Sequence, residues 1–413
     1  MGLRSNLEDH RPQPAPVHAR LALAFCLSSV FLCPEICVGL PQSPSAESSL
    51  ERQTDVAFTQ GADSQTAEGL NRLLAEPHPS SDALMRTGIA FAQEGRYPEA
   101  VRAFTRCVRD YPALFEGHYN LALAELAQEH YPEALAAIDQ AKPQSEDEST
   151  GRIYLRGKIE AAMGRTELAQ KDLAAAFGKN PGEENYALDL GLLDLETHAY
   201  PEAERVFAQG SSLNPHSNYL LLGLALSQFM GGHATQSVDA SRRVLAADPA
   251  FSPARLLLGF ALYIDGNLAQ AREVAAEGLK LPGPDPYLYY LEAVTLIKLH
   301  GQEHTRILTD LTAAEKSIPH CALCYVASGK VHEEQNELPA ALSDLQRAIR
   351  LAPDLSEGWY HLASVYDRLG NTTEAAKARE RFQAIKVNAD EREKEMMRGV
   401  VLQSLGGQGS SRQ

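Results

Sequence analysis

Cys321 and Cys324 are the side chains in this 413-residue sequence whose types and spacing come nearest to chemistry. They form the run C-A-L-C at the start of a helical stretch. A thiol at a helix N-terminus has a lowered pKa, which suits thiol–disulfide exchange. The same spacing allows a local disulfide in an oxidising compartment. Tyr325 stands where c-type haem attachment requires histidine. Metal binding needs further ligands, and His320 and His332 are the nearest. Other arrangements fail on spacing. Gly151–Lys158 has five residues between its glycines and Ile159 in place of the serine or threonine of a phosphate loop. His332-Glu333 lacks the second histidine of a zinc protease, and no G-x-S-x-G occurs. Glu146–Glu148 reads as surface charge in an inter-repeat loop, and Asn371-Thr372-Thr373 as a glycosylation pattern within a turn. No catalytic constellation emerges, no cofactor is implied, and the chain reads as a non-enzyme.

The elements that carry these residues are set by a repeat. YPEAVRAFTRCVRDYP at Tyr97–Pro112 returns at Tyr131–Ala141 and Tyr200–Pro215, and more loosely at Thr166–Pro181 and Glu337–Pro353. Ala100, Ala134, Ala169, Ala203, Ala271, Ala341 and Ala375, with Ser237, fall 34 or 35 residues apart, except for a double step before Ala341. Such a period marks a helical repeat array. Twelve residues before each anchor stands Gly88, Ala122, Gly157, Gly191, Ala225, Gly259, Gly329 or Ala363. Small residues at both points let two antiparallel helices approach. Between them Gly95, Gly164, Gly232, Gly266 and Gly370 are placed to end a first helix in a left-handed residue. Pro98, Pro132, Pro201 and Pro339 open the second helix, where a missing N–H costs nothing.

This pattern resembles the tetratricopeptide repeat (TPR) family. Trp359, Leu362, Ala363, Tyr366 and Ala375 reproduce its landmarks in order. Repeats begin near Ser81, Phe115, Thr150, Glu184, Asn218, Ser252, Ala322 and Ser356, and a degenerate one at Pro286–Pro319 fits by period alone. The resemblance covers about 300 of the 413 residues. It implies an all-α fold, a right-handed superhelical solenoid of about nine helix-turn-helix hairpins closed by a C-terminal capping helix. It also implies that the first helices line a concave groove that holds a partner peptide or helix.

By register, that groove carries Tyr119, Leu123 and Tyr154, then Leu188, Leu192, Tyr219, Leu222, Leu226, Phe229, Phe260 and Tyr263. The expectation is an apolar, aromatic-lined channel for an amphipathic helix or an extended segment. The competing reading is that these side chains pack helix against helix. Lys330, Glu333, Glu334, Asp367 and Arg368 make the C-terminal end charged. The family's clamp for C-terminal carboxylates is not reproduced, since Met85, Ile89, Gly151 and Leu155 replace its polar residues and only Asn120 matches.

Composition bounds the partner. With 54 acidic and 38 basic residues the net charge is −16, which argues against a nucleic-acid backbone. At 44 % hydrophobic and 22 % charged the chain is globular in composition. Residues 1–40 join a polar N-region to the apolar run Leu21–Leu32, too short to span a bilayer comfortably and suited to a signal peptide. An uncleaved anchor, with membrane association through this segment, and a mis-called start leaving the chain cytoplasmic are the alternatives. Residues 41–80 read as a Ser/Gln/Glu-rich linker, with Asn71–Ala75 adding a short cap. The array fills 81–385, and a capping helix and disordered tail fill 386–413. Three function classes follow: a scaffold for protein partners in the bacterial envelope or periplasm, an accessory module of a polysaccharide-secretion or outer-membrane assembly machine, and a redox protein using Cys321 and Cys324. Sequence leaves the oligomeric state open.

Overall fold

The computed structural model describes residues 63–385 apart from residue 319. The export signal expected at Leu21–Leu32 and the cap and tail expected over 386–413 lie outside the described residues. Among the described residues there are nineteen helices and no strand. The chain divides into two units, one ending at Glu196 and one beginning at Thr197.

The first unit holds α1 (Asp63–Ala75), α2 (Ser81–Gln93), α3 (Tyr97–Asp110), α4 (Phe115–Ala127), α5 (Tyr131–Gln140), α6 (Glu146–Ala162), α7 (Thr166–Lys179) and α8 (Glu184–Glu196). Helices α2 to α7 form three hairpins, and each first helix also touches the first helix of its neighbour. The short cap expected at Asn71–Ala75 is the C-terminal part of α1, which starts at Asp63 and has a core to join. Its Leu70 and Leu73 are buried. Arg106 of α3 donates to the carbonyls of Leu74 and Glu76 at 2.7 and 2.9 Å, tying down its C-terminus.

The second unit opens with α9 (Tyr200–Leu213). Five hairpins follow: α10 (Asn218–Met230) with α11 (Ala234–Ala247), α12 (Ser252–Ile264) with α13 (Leu268–Gly278), α14 (Pro286–Lys298) with α15 (His304–Ser317), α16 (Ala322–Glu334) with α17 (Leu338–Leu351), and α18 (Ser356–Arg368) with α19 (Thr372–Ile385). Here too successive first helices touch.

The local rules operate as the sequence implies. Ala100, Ala134, Ala169, Ala203, Ser237, Ala271, Ala341 and Ala375 are all fully buried. Gly95, Gly164, Gly232, Gly266 and Gly370 take φ between 73° and 86°. Where glycine is absent, Glu129 and Asn336 adopt the same left-handed turn. Pro98, Pro132, Pro201 and Pro339 sit in the first turns of α3, α5, α9 and α17.

Two features differ from expectation. Glu146–Glu148 is the first turn of α6 rather than a loop. The Ser145 hydroxyl accepts the Glu148 amide at 3.1 Å, and the Glu148 carboxylate accepts the Gln144 amide at 2.5 Å. This reciprocal cap, with three carboxylates at the positive end of the helix, extends α6 backwards. The degenerate repeat forms a full hairpin in α14 and α15, with Ala293 at the small-residue position of its first helix, although Ile307 occupies the alanine position of its second. Both are buried. The turn Leu299–Glu303 is five residues long where the turns of neighbouring hairpins have three, as at Asp265–Asn267. This displaces the anchor to 36 residues after Ala271 and explains the double step.

Candidate functional site

In the first unit the inner helices α4, α6 and α8 place a polar–aromatic cluster on one face. Tyr119 and Leu123 of α4 are half-buried, and Tyr154 of α6 is 8 % exposed. The Tyr154 hydroxyl donates to Asp189 of α8. Lys158, one turn after Tyr154, reaches the same oxygen, Asp189 Oδ2, at 3.1 Å and lies 5.4 Å from the Tyr154 ring centre. The Tyr186 ring stands 4.4 Å from that of Tyr154. The Tyr119 ring lies beside Gly151, where a β-carbon would meet it in ordinary contact at 3.7 Å. Burial pushes all three phenols upward, Tyr186 to about 12, with nearby carboxylates adding to the effect. They therefore stay neutral donors at any physiological pH. Leu188 and Leu192 of α8 are buried beside them.

A second layer holds this face in place. Arg156 makes a two-pronged contact with Asp172 of α7 at 2.6 and 2.8 Å, and Arg165 pairs with the buried Glu160 at 3.1 Å. Gln170 of α7 donates to Asp194 of α8 at 2.6 Å. Paired in this way, buried charges fix the stagger of the helices.

The residues expected along the groove in the second unit are packed instead. Leu222, Leu226, Phe229, Phe260 and Tyr263 are buried, and only Tyr219 is half-exposed. The reason lies in α10, whose residues from Leu220 to Met230 are apolar almost throughout and buried on every side. Such a helix belongs in an interior. Phe260 stacks toward Tyr290 of α14 at 6.4 Å, and Lys298 caps the Tyr263 ring at 4.3 Å. Leu291 of α14 comes so near α12 that a β-carbon on Gly259 would be 2.3 Å away.

The charged C-terminal end is internally matched. Glu333 accepts from His361 Nδ1 at 2.8 Å and from the Ser364 hydroxyl at 2.5 Å, while Arg368 donates to its carbonyl at 2.8 Å. Lys330 pairs with Glu357 at 2.6 Å, Asp367 with Arg379, and Glu334 with His304 at 3.8 Å. Cys321 and Cys324 are joined in a disulfide at the start of α16. Cys107 is a buried free thiol pushed up to about 11, mainly by burial. Among the described residues no group of three or more His, Cys, Asp or Glu is placed to hold a metal, and no helix is long and apolar enough to cross a membrane.

A tetratricopeptide repeat profile matches residues 67–114, 85–149 and 326–386, in phase with hairpins α2–α3, α4–α5, α16–α17 and α18–α19. These segments are tetratricopeptide repeats. No curated protein matches it. Among solved structures the array is similar to a tetratricopeptide repeat protein from Parabacteroides merdae, at 20 % identity and a TM-score of 0.43 over 61 % of this chain and 98 % of that one. It is also similar to Cut9–Hcn1, an APC/C hetero-tetramer, at 14 % and 0.45 over 87 % and 97 %. A third is YrrB, described as a TPR protein with an unusual peptide-binding site, at 16 % and 0.36 over 46 % and 97 %. At these identities the tetratricopeptide likeness is one of fold alone.

Two members of the cluster, Tyr186 and Asp189, were not among the expected groove residues. The signal was present: Asp189 lies 35 residues after Tyr154, one repeat, and so on the adjoining inner helix.

Proposed function

We propose that this chain is a non-catalytic scaffold whose inner face on α4, α6 and α8 binds a segment of a partner protein. The supporting observation is the half-exposed row of Tyr119, Leu123, Lys158, Tyr186 and Asp189, in which aromatic area and a salt-linked polar pair lie together. Aromatic side chains beside a few fixed polar groups suit recognition of an extended or helical peptide. The apolar run Leu21–Leu32 supports the further reading that the protein is exported and works in the bacterial envelope.

The test uses the full chain carrying a photo-crosslinking amino acid at Leu123, beside one at the exposed Lys171 of α7. Both are irradiated in an envelope extract. A partner captured from Leu123 and not from Lys171 supports the inner face as the site. Equal capture at both positions, or none at Leu123, overturns it. If the captured protein belongs to a polysaccharide-secretion or outer-membrane assembly machine, the accessory-module reading is the correct refinement. An intact N-terminus on the extracted protein would count against a cleaved signal.

A further inference from the structure

The Cys321–Cys324 disulfide is built asymmetrically. Cys321 is the N-cap of α16 and half-buried, while Cys324, in the first turn, is completely buried. Cys321 Sγ accepts the Cys324 amide at 3.3 Å. Cys321 lines a cavity of about 170 Å³ together with His320, Lys316, Arg347, Tyr325 and Glu315. Arg347 is held over the Tyr325 ring at 4.3 Å, so a cation is fixed at the cavity wall. The bridge also has little to do for stability, because it spans only three residues. Closing so short a loop restrains the unfolded chain less than any longer pairing would.

We infer that Cys321 and Cys324 form a thiol–disulfide exchange site, with Cys321 as the sulfur that an incoming thiol attacks. The substrate class is a dithiol. Its first thiolate, drawn by Lys316 and Arg347 against the Glu315 carboxylate, attacks Cys321 Sγ from the cavity. The Cys321–Cys324 bond breaks, the bonding pair leaves with Cys324, and that thiolate takes up a proton. The second thiolate of the dithiol attacks its own sulfur in the mixed disulfide and expels Cys321. The departing Cys321 thiolate is received by the amides opening α16, the arrangement that makes a thiol at a helix start a good leaving group. Two electrons pass from dithiol to protein, and the reverse sequence oxidises a partner dithiol. This inference is independent of the inner-face proposal, since the cavity is built by α15, α16 and α17 and involves none of its residues.

The experiment takes the folded full chain in its oxidised form through dithiothreitol buffers of graded potential. After alkylation, the tryptic peptide Ser317–Lys330 is weighed, which separates this pair from the other cysteines. The expected result is reversible uptake of two alkyl groups with an unchanged helical circular dichroism signal. A pair that stays oxidised until denaturant unfolds the chain is a staple only, and overturns the inference. Two variants test the asymmetry. With Cys324→Ser, Cys321 should form a mixed disulfide with an aromatic disulfide reagent at least tenfold faster than Cys324 does with Cys321→Ser. Equal rates in two folded variants also overturn it. Replacing dithiothreitol by reduced glutathione or by a dithiol protein then distinguishes a small-molecule partner from a protein one.

Discussion

A β-carbon on Gly88 would lie 2.4 Å from the ring of Phe104, and that ring is only 1 % exposed. Helices α2 and α3 are thus as close as two backbones with one aromatic spacer allow. Gly88→Ala should cost about 1–3 kcal/mol, since a fully packed ring has nowhere to go. Gly178→Ala provides the opposite sign. That glycine lies within α7 with nothing within 4 Å of a new β-carbon, so alanine should stabilise by about 0.5–1 kcal/mol. Thermal melts of both variants check the pair. A Gly88→Ala protein as stable as the parent would mean that the hairpin can open without penalty.

Turn position decides the sign of a second pair. Gly266 has φ +84° and open space around it, so Gly266→Ala is penalised by backbone conformation alone, by about 1–2 kcal/mol. Glu129 takes φ 61° at the equivalent position. Glu129→Gly should therefore raise the melting temperature, the relief of strain exceeding the added freedom of the unfolded chain. Equal and opposite shifts are not required; a fall for Glu129→Gly would contradict the argument.

Asp310 supplies a pH dependence. Burial, with Glu292 and Glu303 nearby, pushes its carboxyl up from 3.8 to about 6, against the pull of Arg306. Its Oδ2 is buried without a hydrogen bond, 3.9 Å from Arg306 Nε. The folded state therefore holds this proton where the unfolded chain has released it. Stability contributed by the neutral acid is complete below about pH 4 and is lost as pH rises through about 6. Asp310→Asn, which keeps the neutral shape, should remove that loss. Melting temperatures of parent and variant should diverge between pH 4 and 7, the variant being higher at 7. Parallel curves would show that Arg306 already neutralises the carboxylate.

Ile307 predicts a failure of consensus. Seven other hairpins or second helices place alanine here, and one serine, yet Ile307 is 1 % exposed and fills its site. Ile307→Ala restores the family pattern but should destabilise by about 2–5 kcal/mol through the cavity it leaves. A chemical melt of the variant showing no loss would mean that α14 and α15 collapse onto the smaller residue.

The fold was readable because its determinants are small residues and turn formers, which cannot be exchanged without steric cost. Ala100, Gly157 and Gly329 announce helix contacts by lacking bulk, and Gly266 announces a turn by its freedom. Reading fails where a bulky residue takes a small one's place. Ile307 fills a site that alanine takes in the neighbouring repeats, and two extra turn residues conceal the phase. Helix α6 was read as starting at Thr150 because register was counted back from the hairpin, whereas Ser145 and Glu148 set its start by capping. The candidate site was harder still. Register marks which side of a helix Leu226 and Phe260 occupy, but not whether that side stays open, since this depends on how closely neighbouring first helices pack. Tyr154 and Asp189 were separable from core positions only by their pairing across one repeat.

The turn Leu299–Glu303 has a practical use. Its extra length shows that α14 and α15 keep their pairing when more chain is threaded between them. A short epitope or fluorophore inserted after Gly301 enters the turn beyond the bond by which the Gly301 amide donates to the Leu296 carbonyl at 3.0 Å. Placed there, before Glu303 and its ion pairs with Arg272 and Arg306, it leaves the start of α15 undisturbed. The degenerate repeat thus doubles as a natural attachment point, from which captured partners can be detected without altering the surfaces under study.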